Sequence, residues 1–487
     1  MINKRGFLSP PVALAACLLA GGFATSPAMA QEPSAAPTAE QQATAARLTT
    51  ELSFVKPDTF PSAEPHRRTA LAVGEIVGLN TLIWSYDRYI REGGDNPGFR
   101  MGFNSWQENL QNGFEWDDNN FATNNFAHPY HGSMYYNAAR SNGYGFWGSV
   151  PFVFAGSYMW EHFYETHHPS YNDWVNTSLG GIALGEMMWR LSDMAIDNTA
   201  TGSSRTWHEI GAMAINPIRG LSRLFTGEWS KVGPNPEGRF PSRAAMQLDF
   251  GARNAGDGNE FEPDSTKVFV ALQGLYGDPF NGDYKKPFDS IELNAQINFN
   301  DATGLAGVGA HGLLAASELG KTESAHHLLG FFMNFDYTNT FAYEVGQQSV
   351  GAGLLSRFQD TALGTIETQV HLNAIIMAGV GADYESFTGR EYDYGPGASA
   401  VVSAALLRHG WPWLSVRHGQ YWVNTLNGTP SDHHLSITRV RLDVPVTTGF
   451  GLGTQYVLYL SDNDYEDYPD TYRRLPELRV YASLPLH

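Results

Sequence analysis

Two kinds of hydrophobic spacing divide this chain. From Ala70-Leu71 through Val73, Ile76-Val77, Leu79 and Ile83-Trp84, apolar residues recur every three or four positions until Arg91-Glu92-Gly93. That spacing predicts an α-helix. Helix-compatible stretches follow over 134–140, 150–165, 173–194 and 215–225. Beyond Pro234 and Pro241 the period drops to two. Met246 to Arg253 alternates apolar with polar, Ile291 to Phe299 does so without a lapse, and 366–373, 440–444 and 478–484 do so with small ones. Alternation of this kind predicts strands with one wet and one apolar face. With the weaker candidates there are about twelve, divided by turns such as Asn281-Gly282-Asp283 and Asn427-Gly428.

Strand length selects the architecture. Strands of soluble sandwiches average about five or six residues and membrane-crossing barrel strands need about nine to eleven; many of the stretches here run near ten. The expected fold is α+β. A helical module over 65–232 precedes an antiparallel β-barrel of about twelve strands over 243–487, of the outer-membrane type, because no single layer tolerates both periods. Outer-membrane lipids are then the expected surroundings. A periplasmic sandwich is the competing architecture.

The N-terminal region supports export. Lys4-Arg5, an apolar stretch from Phe7 to Phe23 and the small-x-small site Ala28-Met29-Ala30 predict a signal peptide over 1–30, followed by a flexible lead-in over 31–64 rich in Ala, Thr, Pro and Glu. Leu14-Ala15-Ala16-Cys17 offers a competing lipoprotein box. Loss of residues 1–30, which hold two basic and no acidic side chains, takes the formal charge from −19 to −21 and removes the single cysteine. No disulfide is then possible, and a nucleic-acid partner is excluded by the missing excess of Lys and Arg. Charged residues make up only 17% of the chain while glycines number 51, which suits many strands and tight turns. The uncharged stretch Ser141 to Trp160 is long enough to cross a bilayer, but its Gly, Ser, Asn and Pro make a helix buried against protein the expected state.

Candidate chemistry concentrates in the helical half. Polar and aromatic residues are densest from Trp116-Asp117-Asp118 and Asn124-Asn125 through His128-Pro129-Tyr130-His131-Gly132, Ala139-Arg140, Trp160-Glu161-His162 and Glu165 to Ser170, Asp173, Asn176 and Gly185-Glu186. This order of HPYxG, AR, WExxxE, SxxD and GE motifs resembles a bacterial envelope family known as a domain of unknown function. The likeness runs from Glu75 to Arg223 and includes Asn216-Pro217-Ile218-Arg219-Gly220. It implies a shared helical module and no catalytic role.

Read from the residues alone, Glu161 and Glu165 stand one helical turn apart, and stacked carboxylates repel unless a cation, a proton or an Arg lies between them. Arg140 is the expected counter-charge, giving a buried Glu-Arg-Glu lock. The sharper alternative is an acid/base or metal site completed by His128 and Asp173, so that His128, Arg140, Glu161, Glu165 and Asp173 are the candidate catalytic residues. No cofactor or metal is identified: HExxH is lacking, and Glu165-x-x-His168 occurs once where a di-iron bundle needs two. Ser170 is expected to cap the helix that follows it, no GxSxG elbow is present, and the acidic run 462–467 is expected to be a solvated loop. The function these features support is an outer-membrane barrel whose helical module plugs the lumen or packs at its periplasmic mouth, structural or passage-controlling. An enzyme acting on envelope lipid or glycolipid is the alternative, and the protein partners are unknown.

Overall fold

The structure, a computed structural model, describes residues 59–60, 66–91 and 96–486, apart from breaks at 259, 262–265, 283, 300–303, 341, 387–388, 409–410 and 448. The signal peptide and most of the lead-in lie outside the described residues.

The helical module contains α1 (Thr69–Tyr89), α2 (Phe103–Asn112), α3 (His128–Ser141), α4 (Phe146–Phe163), α5 (Tyr171–Val175), α6 (Gly181–Ala195), α7 (Gly202–Ile215) and α8 (Pro217–Phe225). The period-3.6 reading located α1, α3, α4, α6 and α8 but not α2 or α7, whose apolar stripes are short and broken by Asn, Gln, Ser and Thr. The stretch expected as one helix over 173–194 is two, α5 and α6, joined by a π-helical segment, Asn176–Gly180. Glycine sets how closely these helices approach. A Cβ on Gly132 of α3 would overlap the carbonyl oxygen of Thr177, and one on Gly185 of α6 would lie 2.9 Å from Tyr136 Cβ. Only residues without a side chain admit this contact.

The barrel comprises twelve long strands: β1 (Ala244–Asp257), β2 (Lys267–Tyr276), β3 (Ile291–Asn298), β4 (Leu305–Lys321), β5 (Ala325–Asn339), β6 (Glu344–Thr361), β7 (Gly364–Gly381), β8 (Tyr392–Arg408), β9 (Trp411–Asn424), β10 (Ser431–Thr447), β11 (Phe450–Tyr465) and β12 (Thr471–Leu486). Each pairs antiparallel with its neighbour, and β12 returns to β1 in the register Val480↔Ala252, closing the sheet. Closure leaves no long edge unpaired. The acidic run expected as a loop begins within β11, which reaches Tyr465.

Alternation along the strands separates two environments. Inward residues such as Asn294, His311, Asn334, Gln347 and Arg417 line a polar cavity of about 460 Å³. Outward residues on β5 to β12, among them Leu329, Leu354, Leu372, Val402, Leu442 and Val480, are large, apolar and exposed. One end of the barrel has two- and three-residue turns at 322–324 and 362–363 and holds both barrel termini, which is the periplasmic pattern.

The module stands at a mouth of the barrel and continues down its outer wall. Ala310, Phe335 and Tyr337 occupy the outward register, opposite in parity to His311, Asn334 and Asp336, and form one core with the module's Phe121, Phe126 and Met187. Phe126 and Tyr337 rings lie 5.2 Å apart. Among the described residues, every one lining the lumen belongs to the barrel segment after Arg243 or to Arg243 itself, so the module is no plug. The barrel narrows itself instead. At the short-turn end Phe280 packs inside on Leu313, Leu328, Phe332 and Leu355, while at the other end Ala342 packs on Ile437, Val457 and Tyr459.

Candidate functional site

Two π-helical segments shape the centre of the module. Thr123–Ala127 runs directly into α3, so that His128 is its first residue; Asn176–Gly180 follows α5, which carries Asp173. A π-turn widens the helix by one residue and redirects the side chains beside it, a feature frequent at functional sites. Here it turns asparagines toward the barrel. Asn124 Nδ2 donates to Tyr392 Oη at 2.9 Å, and Asn176 Nδ2 donates to Tyr394 Oη at 3.4 Å. Gly346 and Gly379 leave room on the wall for Asn125.

Four of the five residues singled out in the sequence gather against these segments. His128 Nε2 lies 3.7 Å from Asp173 Oδ1, which also accepts from Asn172 Nδ2 at 2.9 Å. Glu161, on the last turns of α4, accepts the Ser170 backbone N–H at 3.0 Å through Oε2; its Oε1 is buried without a hydrogen-bond partner among the described residues. Glu165 lies beyond the end of α4, not one turn up the same helix, and accepts from Trp160 Nε1 at 2.6 Å. Asp117 joins the cluster through Asn124 and Asn172. Ser170 occupies the N-cap position of α5 without a side-chain capping bond, its hydroxyl being directed to Asp173.

Burial sets the protonation states. It pushes Glu161 well up, with Asp173 and Glu165 adding like charge. Burial and then Asp117 raise Asp173. Glu165 is pushed up to about 7 by burial, opposed by His128 and reinforced by Asp173 and Asp117. Burial depresses His128 despite the acids around it, and takes His131 down to about 3. The cluster thus favours neutral carboxyls beside a neutral imidazole, a set that can hold and pass protons near neutral pH. His131 is turned away, its Nε2 3.1 Å from Asn80 Oδ1 and 2.8 Å from Tyr135 Oη. Among the described residues no three His, Cys, Asp or Glu side chains are arranged to hold a metal ion.

Arg140 is not in this cluster, which corrects the Glu-Arg-Glu lock. Its Nε and Nη2 donate to Glu186 at 2.8 and 3.0 Å, and Arg190 Nε donates to the same carboxylate at 2.8 Å. The buried lock is Arg-Glu-Arg, centred on Glu186 of α6. The helix that follows α3 is indeed α4, but Arg140 sits at the end of α3 remote from the C-terminal turn of α4, where the acids are. Two further locks repeat the principle: Glu209 with Arg205 and Arg223, and Asp193 with Arg219 and Arg239. Arg190 and Arg205 stand one turn from their acids on the same helix, a spacing open to sequence reading. Arg140, Arg219, Arg223 and Arg239 come from other segments, which spacing could not select. Asp117 and Asn124 stand in the dense polar and aromatic run that the sequence showed, without a role assigned there, while Asn172, beside Asp173, was not singled out.

A closed antiparallel barrel with polar, paired side chains within and a bare apolar surface without is an outer-membrane barrel. Residues 113–218, most of the helical module, match a domain of unknown function, DUF3943. The barrel is similar in fold to the NanC porin (8% identity, covering 48% of this chain and 98% of that one, TM-score 0.25). It is likewise similar to the KdgM porin (7%, 49% and 99%, 0.22) and to the outer membrane protein Omp33 of Acinetobacter baumannii (11%, 49% and 98%, 0.19). Comparison with curated proteins finds no match.

Proposed function

We propose that this chain is an outer-membrane barrel that keeps its own lumen shut and controls passage through it, with the helical module bracing the wall. One observation carries the reading: Arg417 of β9 donates from Nη1 to Glu292 of β3 at 3.2 Å. Those strands are diametrically opposite in the ring of twelve, so the pair crosses the lumen. Gln369 of β7 reaches the same carboxylate, and Arg479 Nη1 donates to Gln296 Oε1 at 2.7 Å across three strands. Charge-assisted bonds in a narrow polar tube hold it closed as long as the partners remain paired. Planar-bilayer recording tests the idea. The parent protein should conduct little, and Arg417→Ala should open it several-fold. A large steady conductance of the parent would sink the proposal.

A second reading, chemistry on an envelope lipid or glycolipid, draws on the convergence of His128, Glu161, Glu165 and Asp173. It requires that cells lacking the protein show an altered lipid profile which the parent gene corrects and a Glu165→Gln gene does not.

A further inference from the structure

Part of the helical module has its polarity reversed. Many of its ionisable side chains point inward, Glu161, Glu186, Glu209, Arg190, Arg205, Arg219 and Arg223 being buried, while the exposed ones, among them Arg67, Arg91, Arg100, Glu108, Glu115 and Asp118, lie on α2 and on the segments outside α1, α4 and α7. Outside, the exposed positions of α1 include Ala70, Val73, Val77 and Leu82 and carry no charge between Arg68 and Arg88. On α4 the exposed residues are Trp147, Gly148, Pro151, Ala155 and Tyr158, and on α7 Trp207 and Ile210 stand 63% and 42% exposed. The expectation that Ser141 to Trp160 would be buried against protein therefore holds for one face only. Water-soluble surfaces are about 25–35% charged, and Arg, Asp and Glu are seldom fully buried. The buried charges and the uncharged outer faces of α1, α4 and α7 run against both tendencies.

Its place on the barrel explains the inversion. The module covers outward positions from Tyr276 and Ile291, beside the short-turn end, to Tyr392 and Tyr394, beside the long loop of 382–391 at the other end. It therefore lies level with the wall over much of the wall's height. Where the covered patch stops, the exposed belt of Leu329, Phe331, Leu354 and Leu372 begins on the same strands. We propose that the module lies beside the barrel at the depth of the bilayer, with the uncharged faces of α1, α4 and α7 packed on lipid acyl chains. The surface is continuous with the barrel's lipid-facing belt, and α1, roughly 31 Å long at 1.5 Å per residue, matches the hydrocarbon core with arginines near both ends. No helix among the described residues is long and apolar enough to cross a membrane; the bundle reaches this depth by leaning on the barrel and turning its polar groups inward.

The proposal rests on the barrel lying in the membrane, and one experiment separates the two claims. On a Cys17→Ser background, Val77→Cys, Ala155→Cys and Ile210→Cys each receive a nitroxide, with Leu372→Cys as the barrel-belt control and Glu323→Cys as the turn control. The protein is refolded into dioleoylphosphatidylcholine vesicles and checked by heat-shift electrophoresis. The ratio of oxygen to nickel-chelate accessibility at the three module sites should match Leu372 and exceed Glu323 several-fold. Module sites that match Glu323 while Leu372 reads as lipid would overturn this inference alone; an aqueous Leu372 would overturn the barrel placement with it. For any labelled variant that fails to refold, brominated phosphatidylcholine gives the same answer. It should quench the parent protein's tryptophan emission more than that of a Trp147→Phe, Trp207→Phe double variant, and equal quenching of the two would count against the proposal.

Discussion

At the residue scale the buried charges make the sharpest demands. Glu186 is fully buried between Arg140 and Arg190 and also accepts from Tyr136 Oη at 2.8 Å. Glu186→Ala leaves two guanidinium groups without their shared carboxylate and should cost roughly 3–5 kcal/mol. Arg140→Ala should cost less, because Arg190 still neutralises Glu186; melts of both variants in one detergent check the order. Glu165 gives a pH signature. With its pKa raised from 4.5 to about 7, the folded state holds the proton more tightly than the unfolded chain. Its contribution is full below pH 4.5 and is lost as pH rises to 7, on the order of 2–3 kcal/mol. His128 and His131, whose pKa values are depressed, act oppositely and destabilise as pH falls below 6.5. The difference between parent and Glu165→Gln isolates the carboxyl: the parent should lose stability relative to the variant from pH 5 to 7.5, and parallel curves would remove Glu165 from the cluster.

At the element scale, backbone contact between α3 and the π-segment depends on a missing side chain. Gly132→Ala would press a methyl group on the Thr177 carbonyl and should cost about 1–3 kcal/mol, visible as a lower melting temperature of the module. Gly346 makes a different test because it lies on the barrel. A Cβ there would collide with Asn125, so Gly346→Val should loosen the module from the wall while leaving the barrel closed. Limited proteolysis should then cut within 66–225 faster than in the parent, with the heat-shift of the barrel retained. Much of this level was legible in advance, since the period of 3.6 gave most of the helices and the period of 2 the strands that follow them. The π-segments were not legible. Nothing in the local pattern of Thr123–Ala127 or Asn176–Gly180 departs from an ordinary helix; the widening answers the need of Asn124, Asn125 and Asn176 to meet a barrel wall more than two hundred residues away.

At the scale of the whole molecule, a lumen tied across its diameter should behave as a gate held by few bonds. The double variant Arg417→Ala, Glu292→Gln should conduct about as much as Arg417→Ala alone, since both remove the same link; conductance that adds would show separate obstructions. The uncharged faces of α1, α4 and α7 add to the apolar outer surface of the strands, while the buried arginines of α6, α7 and α8 are paired with Glu186, Glu209 and Asp193 inside the module.

Local periodicity was enough to establish a helical half followed by a half of about twelve strands, because the 3.6 and 2 repeats follow from backbone geometry and one-sided burial alone. The membership of the carboxylate and imidazole cluster was also legible, in His128, Glu161, Glu165 and Asp173, since buried acids within one short stretch must meet something. Which cation meets which acid was decided only in three dimensions. Arg140 found Glu186 rather than Glu161 or Glu165 because side-chain pairing between helices depends on how far along its helix each residue sits and on the glycine contacts that set the approach. The position of the module outside the barrel was equally a tertiary outcome. Alternation tells that a strand has two faces, but only the closed register assigns His311 to the lumen and Ala310 to the wall on which the helices lie.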